Sequence, residues 1–410
     1  MKIRKSLTKK IAAIAMILVL LFSFAGCSLS VADPIVAKVG DINIYASEFY
    51  SLYQSYYYYA SMFGYDLSTA NGLHEYQDWV LDTLIQNAIL VYYAYQEGFE
   101  FTETELLEIQ ADAEAAYDDA LASYKSLIDS AITDEDKIRS EQEALLKADL
   151  EANGSTIEEY KDELYDRAYD DAMSLKLRDQ ISSAAVVEDS EVQEEYDSRL
   201  ETQQETYDET PSSFYTAFSN FASNPTNSDQ PLYVPAGYVA VKHILIKVDT
   251  PTSAETTVDS ETKDYDAICE EIETKIAEIE AGTSSLTFDD LIELYNEDEG
   301  LDNEYYSEFG YFVHEEIVSR YSEPFGETAL ALENVGDISE RIQTEHGYHY
   351  IQLIAKYDEG TVIVSYEDAF DSIYDTLFET AGNDLIQAFI DSKMETTPIT
   401  RYTSRIRAYA

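Results

Sequence analysis

Two short apolar segments that carry histidine constrain this chain more than any other feature. They read VKHILI at residues 241–246 and TEHGYHYI at residues 344–351. The chain has only five histidines, and three of them lie in these segments, namely His243, His346 and His349. Short runs rich in Ile, Val and Tyr are typical of β-strands. We therefore interpret both segments as strands that carry a candidate site.

The first residues of the chain predict export. A stretch with several lysines and an arginine, residues 2–10, precedes an apolar run at residues 11–24. The apolar run is too short to form a stable membrane-spanning helix. A positive stretch followed by such a run is typical of a secretory signal, and we assign residues 1–26 to it.

The use of cysteine points to a lipid anchor. Cys27 directly follows Ala25-Gly26, which resembles a lipobox; an ordinary cleaved signal with a chance cysteine is the alternative. Lipidation of Cys27 would hold the chain on a membrane face, with residues 27–34 as a tether. We therefore expect an extracytoplasmic protein that is lipid-anchored to the outer face of the cell membrane. Cys269 then has no cysteine to pair with, and its position on the apolar side of a predicted helix indicates packing.

The charge balance excludes several classes of function. With 81 acidic and 26 basic residues, the chain has a formal net charge of -55. Nucleic-acid binding is excluded because phosphate backbones require basic patches, and adhesion to an anionic membrane by charge is excluded for the same reason. An acidic surface keeps a protein soluble and repels nonspecific partners. A more specific alternative is that the acidic surface attracts basic or unfolded polypeptides.

The chain contains 35 tyrosines, with runs at residues 56–59 and 92–93. Tyrosine supplies a large amphipathic contact area at low entropic cost. Two explanations stay open, a surface that binds another polypeptide and ordinary packing within helices.

Hydrophobic periodicity divides most of the chain into helices. Residues 34–45 predict two short strands around a Gly-Asp turn, and signals such as Thr102 followed by Glu105 start helices. The helical segments are expected at residues 47–62, 76–96, 102–131, 134–152, 155–185, 190–207 and 365–394.

Two segments depart from this pattern. Residues 210–236 are rich in Ser, Thr, Asn and Pro and predict a linker or exposed loop, with a short packed helix around Phe214 as the alternative. Residues 397–410 contain three arginines and no acidic residue, which is consistent with a strand or with an arm that lies against the acidic body.

The region that contains both histidine segments resembles a parvulin-type peptidyl-prolyl isomerase. Between the two strands, FDDLIELYN at residues 288–296, SEFGYF at 307–312 and the spaced Phe, Ala, Leu, Gly, Ile and Ser of 325–339 follow the family's motifs in order. The resemblance spans residues 237–357. It implies an antiparallel sheet flanked by helices and an enzyme that interconverts cis and trans Xaa–Pro bonds. The loop at residues 250–262 lacks basic residues, so a preference for phosphoserine–proline substrates is not expected.

The opening VAKVGDINI at residues 36–44, followed by helices, resembles the N-terminal domain of secreted foldases of the PrsA and SurA type. The combined resemblance implies an α+β protein, a mostly helical N/C chaperone module with an inserted parvulin domain. The expected parts are a lipoprotein signal peptide (1–26), a tether (27–34), a helical N-terminal chaperone domain (35–209), a linker (210–236), a parvulin-like domain (237–357) and a C-terminal helix that packs on the N-terminal domain (358–410).

The parvulin resemblance also assigns candidate site residues by position. The catalytic candidates are His243, His349, Glu308 and Thr344. The substrate-binding candidates are Tyr321, Phe325, Leu330 and His346. Tyr321 stands where the family usually has methionine, unless Ile317 takes that place. A tyrosine there would narrow the apolar pocket that holds the proline ring of the substrate. Glu308 carries a longer carboxylate than the family's usual aspartate.

These resemblances imply a membrane-anchored foldase that acts on unfolded, newly exported polypeptides containing proline, with a homodimer as one possible state. A non-catalytic holdase with a degenerate parvulin domain is the main alternative, and a surface lipoprotein for a small ligand is a third. No cofactor is expected. A metal site from His243, His346 and His349 is disfavoured, because His346 and His349 are an odd number of positions apart on a strand and point to opposite faces.

Overall fold

The computed structural model describes residues 34–248 and 263–407. The predicted signal peptide, Cys27, nearly all of the tether and the loop at 250–262 lie outside the described residues. In the described part of the chain, no helix is both long enough and apolar enough to cross a membrane.

Helices make up most of the described chain, and the predicted α+β class is confirmed. The helices before the histidine strands are α1 (Ala46–Tyr57), α2 (Ala70–Glu97), α3 (Glu103–Ala122), α4 (Glu135–Ala152), α5 (Ile157–Ser182), α6 (Asp189–Glu209) and α7 (Ser212–Ser223). The later helices are α8 (Tyr265–Glu280), α9 (Phe288–Tyr295), α10 (Glu304–Phe309), α11 (Glu323–Ala331), α12 (Tyr366–Thr396) and α13 (Thr403–Ile406). The strands are β1 (Ile35–Val39), β2 (Ile42–Tyr45), β3 (Tyr233–Val234), β4 (Tyr238–Lys247), β5 (Tyr311–Val313), β6 (Ile342–Gln343), β7 (Gly347–Tyr357), β8 (Thr361–Val362) and β9 (Ile399–Arg401).

The described residues form two compact units. Unit 1 runs to residue 187 and resumes at residue 376, and unit 2 is residues 188–375. Unit 2 is therefore inserted between two parts of unit 1, as the predicted N/C module with an inserted domain requires. Unit 2 begins well before residue 237, because α6, α7 and β3 belong to it.

Unit 1 is organised around α2. The helix begins at Thr69, whose side chain accepts a hydrogen bond from the Gly72 amide at 3.1 Å. It ends at Gly98, which takes the left-handed conformation (φ 72°) that glycine adopts without a steric penalty. Its buried face packs against β1, β2 and α1 in one core, and the fully buried members on α2 are Tyr76, Val80, Ile85 and Ile89.

The other helices of unit 1 start where the sequence places capping residues. Thr102 with Glu105 and Thr156 with Glu159 form reciprocal capping boxes at the starts of α3 and α5. Helices α3, α4 and α5 then share a small apolar cluster made of Ala113, Tyr117, Leu121, Leu146, Leu150 and Leu164.

Unit 2 is built on a four-stranded antiparallel sheet in the order β5-β4-β7-β6. The central strands β4 and β7 pair from Tyr238 opposite Tyr357 to Lys247 opposite Gly347. One face packs on α8 and α9 in a cluster that includes the fully buried Cys269, which confirms its packing role. The other face packs on α11 in a cluster that includes Phe325, Val241 and Ile351.

The stretch predicted as a linker, residues 210–236, contains α7 and β3, so the packed helix left as the alternative is present. Phe214 of α7 is fully buried and makes edge-to-face contacts with Tyr238 (ring centroids 5.0 Å apart) and Phe312 (4.9 Å). The Tyr238 hydroxyl donates to the Pro211 carbonyl at 2.7 Å. The prolines and polar residues at its ends suggest a loop, but the aromatic side chains between them pack against residues that are distant in sequence.

The C-terminal arginine-containing segment closes unit 1. Strand β9 pairs antiparallel with β1 and completes the sheet β2-β1-β9. Arg401 and Arg407 form ion pairs with Asp82 (2.7 Å) and Asp78 (2.6 Å) of α2. Such partly exposed pairs contribute little, whereas Ile406 is fully buried in the same core as α2. In its described part, the segment is therefore both a strand and an arm held against acidic residues.

We expect Ile406→Ala to lower the free energy of unfolding of unit 1 by about 2–4 kcal/mol, because it removes buried methylene groups and leaves a cavity. Trp79, the single tryptophan of the chain, packs against this core, so its fluorescence during urea unfolding reports on unit 1. Leu107→Ala in α3 is the control, since Leu107 is 66% exposed and should cost less than about 0.5 kcal/mol. Equal midpoints for both variants would show that the terminal segment does not stabilise unit 1.

Candidate active site

The two strand histidines lie side by side in unit 2. On the central pair of strands, His243 is opposite Ile351 and Leu245 is opposite His349, so His243 and His349 are diagonal neighbours on one face. Their ring centroids are 5.3 Å apart at an interplanar angle of 61°. The side chains are buried, with 6% and 4% of their surface exposed. The pairing of strands thus creates a buried imidazole pair.

His243 is held by Asp298. Its Nε2 lies 2.8 Å from Oδ2 of Asp298, the Tyr311 hydroxyl donates to the same oxygen at 2.7 Å, and the Gly300 amide donates to Oδ1 at 3.1 Å. The hydrogen bond with His243 is the main reason that the pKa of Asp298 lies well below its usual range. Asp298 is therefore a carboxylate at neutral pH, and it accepts a hydrogen bond from His243 Nε2–H.

The loop after α9 places Asp298 by pairing with β4. Asn296 Oδ1 accepts from the Leu245 amide at 2.9 Å and from the Asp298 amide at 3.2 Å. The Glu297 amide donates to the Leu245 carbonyl at 2.8 Å. The loop thus extends the hydrogen bonding of the strand and directs the Asp298 carboxylate to the ring of His243.

His349 is held by Thr344, whose Oγ1 lies 2.8 Å from its Nε2. The same Oγ1 accepts from the His346 amide at 3.1 Å. Because the Thr344 amide also donates to the Gly347 carbonyl at 2.9 Å, the turn before β7 is tight. Gly347 has φ 146°, and a Cβ there would collide with the Ile246 carbonyl. The glycine between the histidines is thus required for the close approach of β4.

Hydrogen bonds occupy the same atom of each ring. The Asp298 carboxylate can only accept, so Nε2 of His243 carries a proton. Thr344 Oγ1, which also accepts the His346 amide, is the partner of Nε2 of His349. Neither Nδ1 atom has a hydrogen-bond partner within the described residues. The pair thus leaves two unbonded ring nitrogens close to the apolar ring of Phe325.

Burial, together with a smaller effect of the nearby His243, lowers the pKa of His349 to about 3. A charged imidazolium loses its hydration in this site, so His349 is neutral at physiological pH.

Aromatic side chains cover the pair. Phe325 of α11 makes edge-to-face contacts with His243 (ring centroids 5.1 Å apart) and His349 (5.5 Å). Tyr321 stacks on Phe325 at 5.6 Å, and its hydroxyl donates to the Phe312 carbonyl at 2.9 Å. Desolvation raises the pKa of Tyr321 well above its usual value. Tyr321 therefore fills space beside the pair.

Helix α7 supplies a further wall. Its Tyr215 contacts Tyr321 edge-to-face, with ring centroids 5.9 Å apart, and Arg320 lies 5.4 Å from the Tyr215 ring centroid. At the other end of the helix, Asn303 Nδ2 donates to the Ala222 carbonyl at 2.7 Å. The aromatic cover over the histidines thus includes a residue from the stretch predicted as a linker.

The structure brings together His243, His349, Thr344, Tyr321 and Phe325, with Leu330 packed on the edge of the same cluster. Ile317 is buried in a different cluster, with Phe214 and Phe312, so Tyr321 is the residue beside Phe325.

The side chains of two other candidates, Glu308 and His346, lie outside this group. Glu308 is exposed on α10, and within residues 34–248 and 263–407 no hydrogen bond or ion pair joins it to either histidine. His346 is also exposed, and its Nε2 lies 3.7 Å from Oε1 of Glu345.

Asp298 and Tyr311 are the residues that the sequence interpretation missed. The available signal was the Asn-Glu-Asp sequence directly after α9, since Asn and Asp often turn the chain by bonding nearby amides. Nothing local indicates that this turn pairs with β4. In the described residues, no cluster of three or more His, Cys, Asp or Glu could hold a metal ion.

We expect the ring-proton resonances of His349 to stay constant from about pH 8 to pH 5, the range in which an unperturbed histidine titrates. In the unfolded chain His349 gains a proton at about pH 6.5, but in the folded chain it gains one only at about pH 3. The contribution of neutral His349 to the free energy of unfolding is thus complete above about pH 6.5 and is lost as the pH falls from there towards 3. An NMR titration makes the measurement, with His349→Gln used to identify the His349 resonance. A titration midpoint at about pH 6.5 would contradict the burial of His349.

Comparison with known proteins supports part of the sequence interpretation. Residues 1–119 match the family model described as the SurA-like N-terminal domain, which confirms the predicted resemblance to SurA-type foldases over this stretch. None of the curated proteins matches the chain.

Several solved structures are similar over most of their length. PrsA from Bacillus subtilis is 16% identical, with 89% of this chain and 93% of that chain covered and a TM-score of 0.23. Two structures reported for the SurA-like chaperones PEB4 and Cj1289 of Campylobacter jejuni are 18% and 12% identical. They cover 74% and 90% of this chain and 97% and 99% of their own, with TM-scores of 0.26 and 0.28. Identities and TM-scores this low leave the activity of this chain open.

Proposed function

We propose that this protein is a membrane-anchored, extracytoplasmic foldase that binds unfolded exported polypeptides and catalyses cis–trans isomerisation of their Xaa–Pro bonds. The observation that carries the proposal is the buried pair of His243 and His349, with Nε2 atoms bonded to Asp298 and Thr344 and an apolar cover from Phe325. The match of residues 1–119 to the SurA-like N-terminal domain supports a role with polypeptide substrates. The sequence of the first residues supports export and anchoring through Cys27.

The chemistry requires no bond to be made or broken. Rotation about the amide has a barrier of about 18–20 kcal/mol because the planar form is stabilised by resonance. Resonance separates charge between the carbonyl oxygen and the nitrogen, so a dry apolar site disfavours the planar form relative to the twisted one. A catalyst of this reaction therefore binds the twisted amide more tightly than either planar isomer.

Each described group has a part in this scheme. Phe325 and Leu330 offer apolar contact for the proline ring. The two imidazole rings are held in place, because Asp298 and Thr344 bond to their Nε2 atoms. The Asp298 carboxylate adds negative charge beside the site, which further disfavours the partial negative charge on the carbonyl oxygen of the planar amide. Glu308 and His346, which lie apart from the pair, are left as rim contacts for the polypeptide.

The direct test is refolding of a reporter protein whose slow phase is limited by proline isomerisation, with the full chain as catalyst. We expect His243→Ala to lower kcat/KM at least tenfold, which corresponds to about 1.4 kcal/mol of barrier. His74→Ala is the matched control, because His74 lies in unit 1 and its side chain is exposed. If the wild-type protein leaves the slow phase unchanged, unit 2 is not an isomerase under these conditions.

A second function, that of a non-catalytic holdase, is favoured by the position of Tyr321. Its ring stacks on Phe325 and its hydroxyl is bonded to the Phe312 carbonyl, so it occupies space that a proline ring requires. Suppression of aggregation by the wild type and equally by His243→Ala, without catalysis by either, would establish the holdase.

Tyr321→Met separates the two functions further. We expect it to raise kcat/KM roughly fivefold, equivalent to about 1 kcal/mol of barrier, because the flexible thioether opens the space beside Phe325. The refolding assay, run over a series of reporter-protein concentrations, measures the change in kcat/KM. A rate for Tyr321→Met at or below that of the wild type would mean that Tyr321 does not limit the site.

A further inference from the structure

The end of α1 and the turn that follows expose an unusual set of large side chains. Tyr58 is 85% exposed, Met62 79%, Tyr59 54% and Tyr57 38%. These residues lie at the end of α1 and in the turn that follows, and the rings of Tyr57 and Tyr58 are in contact, with centroids 6.0 Å apart. A soluble protein rarely exposes a contiguous patch of this kind unless it is an interaction site.

A cavity of about 410 Å³ opens beside this patch. Its lining consists of Tyr57, Ser61, Gly64, Tyr65, Asp66 and Leu67. We name this cavity together with Tyr58, Tyr59 and Met62 the tyrosine surface.

The floor of the tyrosine surface is packed against α2. The Tyr65 ring packs against Tyr76 (ring centroids 5.8 Å apart) and Trp79 (6.1 Å) of α2. Tyr76 is fully buried, and its hydroxyl donates to the Tyr53 carbonyl at 2.5 Å. A site whose walls are already ordered loses less conformational entropy when a ligand binds.

The segment of the chain that forms the tyrosine surface contains an acidic residue and no Lys or Arg. Between Lys38 and Lys125 the chain has no Lys or Arg. Asp66, which lines the cavity, accepts hydrogen bonds from the Ser68 hydroxyl at 2.5 Å and the Ser68 amide at 3.1 Å. The bond from the Ser68 hydroxyl is the main reason that the pKa of Asp66 is lowered. Asp66 is therefore an anion at neutral pH.

Two arginines of the C-terminal segment are paired with acidic residues of α2, and the third, Arg405, donates to the Ile35 carbonyl. Arg401 is bonded to Asp82 and Arg407 to Asp78. The tyrosine surface therefore presents π faces and negative charge, and a ligand must bring the positive charge.

We propose that the tyrosine surface is a docking site for extended polypeptide segments in which Lys or Arg stands next to apolar residues. The apolar side chains would cover Met62 and the tyrosine rings, and the cation would lie over a ring face and near Asp66. Acidic segments are excluded by like charge. The proposal rests on the proposed function in one respect, because its ligand is an unfolded polypeptide. Beyond that function, the proposal specifies the charge of the preferred polypeptide segments and locates their binding site in unit 1.

The test uses the full chain and two unstructured, proline-free peptides that differ only in carrying Arg or Glu at the same positions. The absence of proline keeps the histidine site out of the measurement. Trp79 reports binding directly, since its ring is 6.1 Å from Tyr65 and 5.7 Å from Tyr56. We expect the Arg peptide to bind at least tenfold more tightly than the Glu peptide, with an affinity that falls as salt is added.

Variants locate the site. The double variant Tyr58→Ser, Met62→Ser should weaken binding of the Arg peptide at least fivefold, and both side chains are exposed enough that folding is unaffected. Asp66→Asn should lower the preference for Arg over Glu. Leu107→Ser, another exposed position of unit 1, should bind as the wild type does. Equal binding of the two peptides, no binding of either, or wild-type binding by the double variant would each overturn the proposal.

These outcomes are independent of isomerase activity. If the proline-limited refolding assay fails while the Arg peptide binds with the expected selectivity, the docking site stands and the catalytic proposal falls. If refolding is accelerated and the double variant binds the Arg peptide normally, the catalytic proposal stands and the docking site falls.

Discussion

The antiparallel pairing of β4 with β7 is the constraint on which the candidate active site depends. Its register places His243 and His349 on one face of the sheet as diagonal neighbours. A slip of one residue would turn one histidine to the opposite face, where α8 and α9 pack. Buried imidazoles are costly unless their polar atoms are bonded, so the pairing also requires Asp298 and Thr344 at the outer Nε2 atoms.

The cover over this pair ties other parts of unit 2 to the site. Tyr321 stacks on Phe325 and contacts Tyr215 of α7 edge-to-face. Helix α7 in turn is packed on the sheet through Phe214. The aromatic cover thus leaves both histidines buried in this structure and restricts the space for a substrate. The proposed isomerase and the proposed holdase differ in how far that aromatic cover opens.

In unit 1, some tyrosines are packed in the core and others are exposed. Tyr76 is fully buried and donates to a backbone carbonyl, as a packing residue does. Tyr58, in the neighbouring turn, is 85% exposed. Composition alone cannot separate the two, because tyrosine has one end that suits a core and another that suits water.

Much of the fold could be predicted from local patterns. The capping boxes at Thr102 and Thr156, the long amphipathic α2 and the histidine strands all appear as expected, because periodicity and capping depend on residues only a few positions apart. The family resemblance placed His243 and His349 on two strands of one sheet, and in the structure their ring centroids are 5.3 Å apart.

Other features were decided only by tertiary structure. Asp298, and not Glu308, bonds to His243 because the loop after α9 pairs with Leu245. Helix α7 forms in a Pro- and Ser-rich stretch because Phe214 is buried against Tyr238 and Phe312, residues distant in sequence. The sequence by itself determined the helices, the strands and the two histidines, since these depend on short-range patterns. Strand register and loop closure decided which carboxylate and which aromatic rings surround the histidines, since those contacts join residues that no local pattern connects.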